Sequence, residues 1–254
     1  MPGDPFCLRL GQKVVEGDLK DLERIQGGIV VSCYTNSDYN SEFNEPEAVR
    51  ALVRSVEAGG ARGIRINLRH FRTVMDTVQV PVIGIEKKYD KSGQMRITPT
   101  MEEVKKLSEA GARTIAIDAT IRARWDNLTL SEFVAEIKNS YGICVIGDIS
   151  TFEEAQLAQQ AGVDAVGTTL SGYTEYSEDD VKTLGTIPAG EPNIDLIRSI
   201  YASLTIPIIA EGRFWHPVQI KEAFSAGAHA VVVGTAISNI RKITEAFVYL
   251  SGSK

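Results

Sequence analysis

Apolar runs five to seven residues long recur along the chain, and each is followed by an amphipathic stretch. The runs are GIVVSC (28–33), GIRIN (63–67), PVIGIEK (81–87), TIAIDA (114–119), CVIGDI (144–149), AVGTTL (165–170), PIIAEG (207–212) and AVVVGTA (230–236). They are almost continuously apolar and β-branched, as parallel strands covered on both faces should be. The stretches between them read as helices. One starts at Pro46 and runs to about Ala58. Another begins after Thr98, with Pro99 in its first turn and Glu102 and Glu103 near its N-terminus. Others begin at Thr129, Thr151 and Pro217, and Ser150-Thr151 with Glu153 and Glu154 is a helix-start signature.

A weak internal repeat reinforces the pattern. EAGGARGIRI, EAGARTIAI, QAGVDAVGT and SAGAHAVVVG each end a helix, turn on glycine and enter a strand. Gly60, Gly111 and Gly162 are spaced 51 residues apart, and Gly227 follows after 65. One period holds two β/α units, so four periods make eight. The long last interval locates an insertion, and 175–191 is its natural place. Eight alternating units with short connections predict one TIM (β/α)8 barrel over residues 1–254, with a short helical segment at the N-terminus. An open doubly wound sheet is the weaker alternative.

Composition narrows the function. The net charge of −6, from 27 basic and 33 acidic residues, argues against a nucleic-acid or anionic-membrane surface but leaves room for a local basic pocket. The N-terminus has no long apolar segment of a secretion signal, and no apolar stretch approaches the roughly 20 residues of a membrane span. Cys7, Cys33 and Cys144 cannot all pair, and two sit in strand-like runs, so they read as buried thiols of a cytoplasmic protein. His70, His216 and His229 lack ligand spacing, so no metal site is expected. His70 and His229 read as surface residues and His216 as part of a helix start. Asp179 and Asp180 read as a solvated loop.

In a TIM barrel the active site lies at the C-terminal strand ends. The polar residues there are Arg65, Lys87, Asp118, Asp148, Thr168, Thr169, Glu211 and Arg213. A single one of these could be a structural pair; polar residues at six strand ends, acids or bases at five of them, together favour a site. GRFWHP after strand seven and GTAIS after strand eight resemble the phosphate cradle of this fold, with Gly212, Gly234 and Thr235 as donors. Trp125 and Trp215 fall on the same face, where each can stack on sugar or simply pack a loop.

GGIVVSC, GIRI, VPVIGIxK, IAIDAT with R-x-R after it, GDIST, VGTTLSGYT, IIAEGR and VVVGTAI occur in this order. Over about residues 24–248 the chain resembles the N-acetylmannosamine-6-phosphate 2-epimerase family. GTTLSGYT and AEGR are the specific strings. The resemblance implies a TIM barrel that inverts C2 of a 6-phosphorylated N-acyl hexosamine without a cofactor, acting as a homodimer. It puts catalysis on Lys87 and Glu211, and substrate contacts on Tyr34, Arg65, Asp118, Asp148 and Thr169. The phosphate falls to Gly212, Arg213, Gly234, Thr235 and Asn239. Family register and strand alternation turn Lys87 inward and Lys88 outward.

The chemistry suits these residue types. The C2 proton of an open-chain 2-acetamido aldose is acidified by the C1 carbonyl, and a lysine of lowered pKa can remove it. Glu211 has three possible roles: serving the opposite face, opening the ring or orienting a hydroxyl. The chain departs from the family at Tyr34, where a glutamine is usual, and at Asn239, where an arginine is usual. Glu86 also replaces an apolar residue beside Lys87. Two rival readings are a Schiff-base aldolase using Lys87, which borohydride would trap with substrate, and a phosphosugar binder without activity.

Overall fold

The computed structural model describes residues 19–35, 41–177, 183–184, 187–188 and 190–252. Cys7, Asp179, Asp180 and part of 175–191 lie outside the described residues. Eight strands form the barrel: β1 (Ile29–Ser32), β2 (Gly63–Asn67), β3 (Val82–Ile85), β4 (Thr114–Asp118), β5 (Cys144–Asp148), β6 (Ala165–Gly167), β7 (Ile208–Glu211) and β8 (Ala230–Val233). Each is parallel to its sequence neighbours, and β8 pairs with β1 through Ile29–Val231 and the two following pairs. That closing ladder excludes the open sheet. The fold is the (β/α)8 barrel.

Two apolar layers hold it. Inward side chains, among them Val30, Ile83, Ala116, Ile146, Ile209 and Val232, fill the barrel axis. The alternate residues, such as Ile64, Ile66, Ile115, Val145 and Val231, pack outward against helices through Val53, Phe71, Leu107, Phe133 and Ile200. Both strand faces are therefore buried, which is why the runs show no polar alternation. The helix Lys20–Ile25 plugs the N-terminal end, with Leu22 and Ile25 in the inner layer.

Helix starts follow their local signals. Pro46 opens the helix Pro46–Ala58. Thr129 and Thr151 are N-caps whose hydroxyls accept from the amides of Glu132 and Glu154, while those glutamates reach back to the cap amides. The four repeat glycines all take positive φ, between 86° and 105°, where a side chain would be strained.

Four expectations shift. Pro99 does not enter the helix: Thr100 is the cap of Met101–Glu109, because its hydroxyl and the Glu103 carboxylate close a reciprocal box one residue later. The third apolar run breaks at Glu86, and Lys87–Tyr89 forms a separate antiparallel ribbon with Met95–Ile97. The sixth run stops at Gly167, and Thr168–Leu170 is a 3-10 turn. The eighth stops at Val233, and Thr235 begins a short helix.

His70 is not a surface residue. It is 2% exposed, with Nε2 3.1 Å from Asn44 Oδ1. His229 is half-buried, its Nε2 2.8 Å from the carbonyl of Leu22, so it ties the plug helix to β8. Cys33 and Cys144 are buried free thiols, and burial pushes Cys33 up to about 12.

Candidate active site

Arg65 stands at the centre of the C-terminal end of the barrel. As the middle residue of β2 it points inward and is fully buried. One nitrogen, Nη2, pairs with Asp148 Oδ2 from β5. The other, Nη1, lies 2.8 Å from Glu211 Oε2 at the end of β7 and 3.3 Å from Asp148 Oδ1. Thr169 donates to Asp148 Oδ1 at 2.7 Å and lies 3.1 Å from Glu211 Oε2. A single guanidinium thus holds two carboxylates in a fixed fork, with a hydroxyl bracing both. Gly167 makes this possible, because a Cβ there would come within 2.4 Å of Asp148 Oδ1.

Thr168, one residue before, locks the strand end. Its hydroxyl donates to the Glu211 carbonyl at 2.8 Å and accepts from the Glu211 amide at 2.9 Å. The 3-10 turn therefore aims one threonine at the backbone and the next at the side chain of the same glutamate.

Lys87 completes the cluster. Its Nζ sits 4.4 Å from the ring centroid of buried Tyr34, a cation–π contact. Burial pulls its pKa down to about 8; Arg65 adds to this, while Glu211 and Asp148 oppose it. Glu211 moves the other way. Burial raises it and Asp148 adds to the rise, against Arg65, Lys87 and the Thr169 hydrogen bond. Desolvation also disfavours charged Arg65, but Asp148 and Glu211 outweigh it and hold the guanidinium protonated. Lys88 turns away, 3.9 Å from Glu103 and 44% exposed in its side chain.

Not every candidate joins this centre. Asp118 pairs in register with Asp148, yet its carboxylate accepts from Thr120 and Arg122 instead. Asn239 is buried and caps the C-terminal helix, its Oδ1 accepting from the Lys242 amide at 3.0 Å. Arg241 pairs with Glu42 and bonds Ser41. The guanidinium of Arg213 leaves the cradle as well: Nη1 donates to the Ser171 carbonyl at 2.7 Å and Nε to that of Glu191 at 2.9 Å. These two bonds secure a backbone held at φ 59°, uncommon for a side-chain-bearing residue. Gly212 and Gly234, with Thr235 opening the short helix, stand at the ends of β7 and β8.

Sequence reasoning placed Thr168 on the strand-end shortlist without a role, and it left Arg96 and Arg122 out. The R-x-R string was the available signal for Arg122. His216 precedes the helix Pro217–Ser225, and Gln219 accepts from the amides of Trp215 and His216. Among the described residues no group of three His, Cys, Asp or Glu side chains is placed to hold a metal ion, and no helix is long and apolar enough to cross a membrane.

Buried ionisable side chains gathered at the C-terminal strand ends of a (β/α)8 barrel stand where enzymes of this fold carry their active sites, and the relatives of this chain are carbohydrate epimerases, of the isomerase class. The chain belongs to the NanE family, described as "Putative N-acetylmannosamine-6-phosphate epimerase", whose pattern matches residues 49–251. Two relatives carry the name "Putative N-acetylmannosamine-6-phosphate 2-epimerase". The one from Caldanaerobacter subterraneus subsp. tengcongensis is 40% identical over 229 residues, 89% of this chain and 92% of that protein. The one from Clostridioides difficile is 38% identical over 228 residues, 89% and 97% of the two chains. The solved N-acetylmannosamine-6-phosphate 2-epimerase from Clostridium perfringens superposes with a TM-score of 0.81 at 31% identity, covering 90% of this chain and 95% of that one. A thiamine phosphate pyrophosphorylase from Pyrococcus furiosus, 16% identical with a TM-score of 0.54, shares the fold alone.

Proposed function

We propose that the protein inverts C2 of a 6-phosphorylated N-acyl hexosamine, interconverting N-acetylmannosamine 6-phosphate and N-acetylglucosamine 6-phosphate. The observation that carries this is buried Lys87 over the Tyr34 ring together with Glu211 held by Arg65, the two with opposed pKa shifts. Lys87, neutral above about pH 8, takes the C2 proton of the open-chain sugar, and the electron pair moves onto the C1 oxygen. Glu211, whose carboxyl is made harder to ionise by burial, returns a proton to the opposite face. Asp148 and Thr169 position Arg65 and Glu211. The backbone amides around Gly212, Gly234 and Thr235 receive the phosphate. No cofactor enters these steps. Residues 1–254 act as one barrel domain in the cytoplasm, a reading supported by the closed barrel and by buried, unpaired Cys33 and Cys144.

The test is proton NMR in D2O with N-acetylmannosamine 6-phosphate. Appearance of C2-deuterated N-acetylglucosamine 6-phosphate supports the reading. No exchange and no product would sink it.

The pH profile follows from the lysine. kcat/KM should rise with pH through about 8 as Lys87 loses its proton. The Tyr34 ring favours the ammonium form, worth about 0.5–2 kcal/mol for such a contact. Tyr34→Leu should therefore move the rising limb about 0.4–1.5 pH units lower, while Tyr34→Phe, which keeps the ring, should leave it in place. An unmoved limb in Tyr34→Leu would dismiss the contact as irrelevant to the base.

We also propose a homodimer. The helix Ile240–Leu250 buries none of its residues, and Phe247 is 73% exposed beside exposed Ile240 and Leu250. A second copy covering this face would remove that apolar surface from water. Sedimentation should give a dimer, and Phe247→Glu with Leu250→Glu a monomer; a monomeric parent chain refutes the assembly.

A further inference from the structure

The loops after β3 and β4 carry a second polar cluster that the reaction does not use. Arg96 lies on the ribbon strand Met95–Ile97, opposite Lys88, and Arg122 and Arg124 follow β4. Three carboxylates face them: Asp90, Asp118 and Asp126. Arg124 is fully engaged. It bonds Asp126 and the carbonyls of Asp118 and Pro99, and its guanidinium stacks 3.6 Å over Phe133.

Arg122 and Arg96 are not. Arg122, 5% exposed, donates from Nη2 to Asp118 at 2.6 Å and from Nε to Thr120 at 3.0 Å, which leaves Nη1 buried with no acceptor. Both carboxylates near Arg96 are 3.9 Å away, too far for hydrogen bonds, and its buried Nε has no acceptor either. Burial lowers the Arg96 pKa, and the Arg122 and Arg124 guanidinia add to it against Asp118 and Asp90. Arg96, Arg122 and Trp125 line one pocket, and Trp125 is 41% exposed at its edge.

We propose that this pocket is an anion subsite, in which Arg96 and Arg122 bind a small oxyanion, a carboxylate or a phosphate, beside the face of Trp125. Two arginines that line one pocket with Asp118, each with a buried N–H group that lacks an acceptor, have donor capacity left for such a group. An exposed indole next to them suits a sugar ring that carries the anion. The subsite lies on the opposite side of the barrel mouth from the ends of β7 and β8. An anion held there is therefore distinct from the phosphate of the reacting sugar.

The chain has two tryptophans, so Trp215→Phe leaves Trp125 as the only indole reporter. Inorganic phosphate titrated into the full Trp215→Phe chain should change its fluorescence saturably. Arg96→Gln and Arg122→Gln, each added to that background, should weaken the response by about tenfold or more. Arg122→Gln strands Asp118 and risks the fold, so Arg96→Gln is decisive, with a thermal melt as its folding control. A response unchanged by Arg96→Gln assigns the phosphate to the β7–β8 loops and overturns the subsite, as does the absence of any saturable response. The deuterium exchange of the parent chain is read separately, so either proposal can fall alone.

Discussion

Lys87→Met should abolish C2 proton exchange while leaving a folded barrel. The side chain is replaced by one of similar length, so the space beside Tyr34 stays filled. No strong buried ion pair is lost, because Lys87 is held by burial and a ring face rather than by a carboxylate bond. Removal of a general base costs about 10²–10⁴ in rate, and a base that carries the only route to the carbanion should sit at or beyond the upper end. Exchange into C2 in D2O, followed by NMR beside a circular dichroism spectrum, checks both halves. Residual exchange within tenfold of the parent would move the base elsewhere, with Glu211 next to be tested as Glu211→Gln.

Asp148→Asn should cost more stability than any surface change in this chain. Asp148 is 0% exposed and pairs with Arg65, itself 1% exposed. Breaking a buried pair from one side costs up to about 3–5 kcal/mol, and here Arg65 would keep Glu211 as its one carboxylate partner. For a chain of this length that lowers Tm by about 6–20 °C. The double variant Arg65→Met, Asp148→Leu removes both charges and should recover part of the loss, since Glu211 can then take up a proton. Calorimetry decides: a single-site loss under about 1 kcal/mol would mean that Glu211 alone satisfies Arg65.

The barrel was legible because its signals are local and repeated. Eight apolar runs, four glycine turns at positive φ and the Thr-x-x-Glu caps each depend on residues a few positions apart. Their order along the chain is also their order around the barrel. The break after Ile85 escaped notice because PVIGIEK is continuous in hydropathy, while the ribbon that interrupts it is closed by the distant Met95–Ile97.

The site divides the same way. Residue types at strand ends put Arg65, Lys87, Asp148 and Glu211 on the shortlist, since charges that close apolar runs are rare without a use. Only the tertiary structure distinguished Asp118 from Asp148, which are in register on neighbouring strands and alike in sequence context. One meets Arg65 from across the barrel; the other is taken by Thr120 and Arg122 from its own loop. Arg213 was likewise turned to a backbone partner by a loop far away in sequence, whereas Asn239 is taken locally as the cap of the helix that follows it. Hydropathy and local capping therefore determined which residues reach the barrel mouth, because those forces act within a few residues. Which charge finds which partner was decided by packing across the barrel, because a buried ion pair depends on groups that only the closed fold brings together.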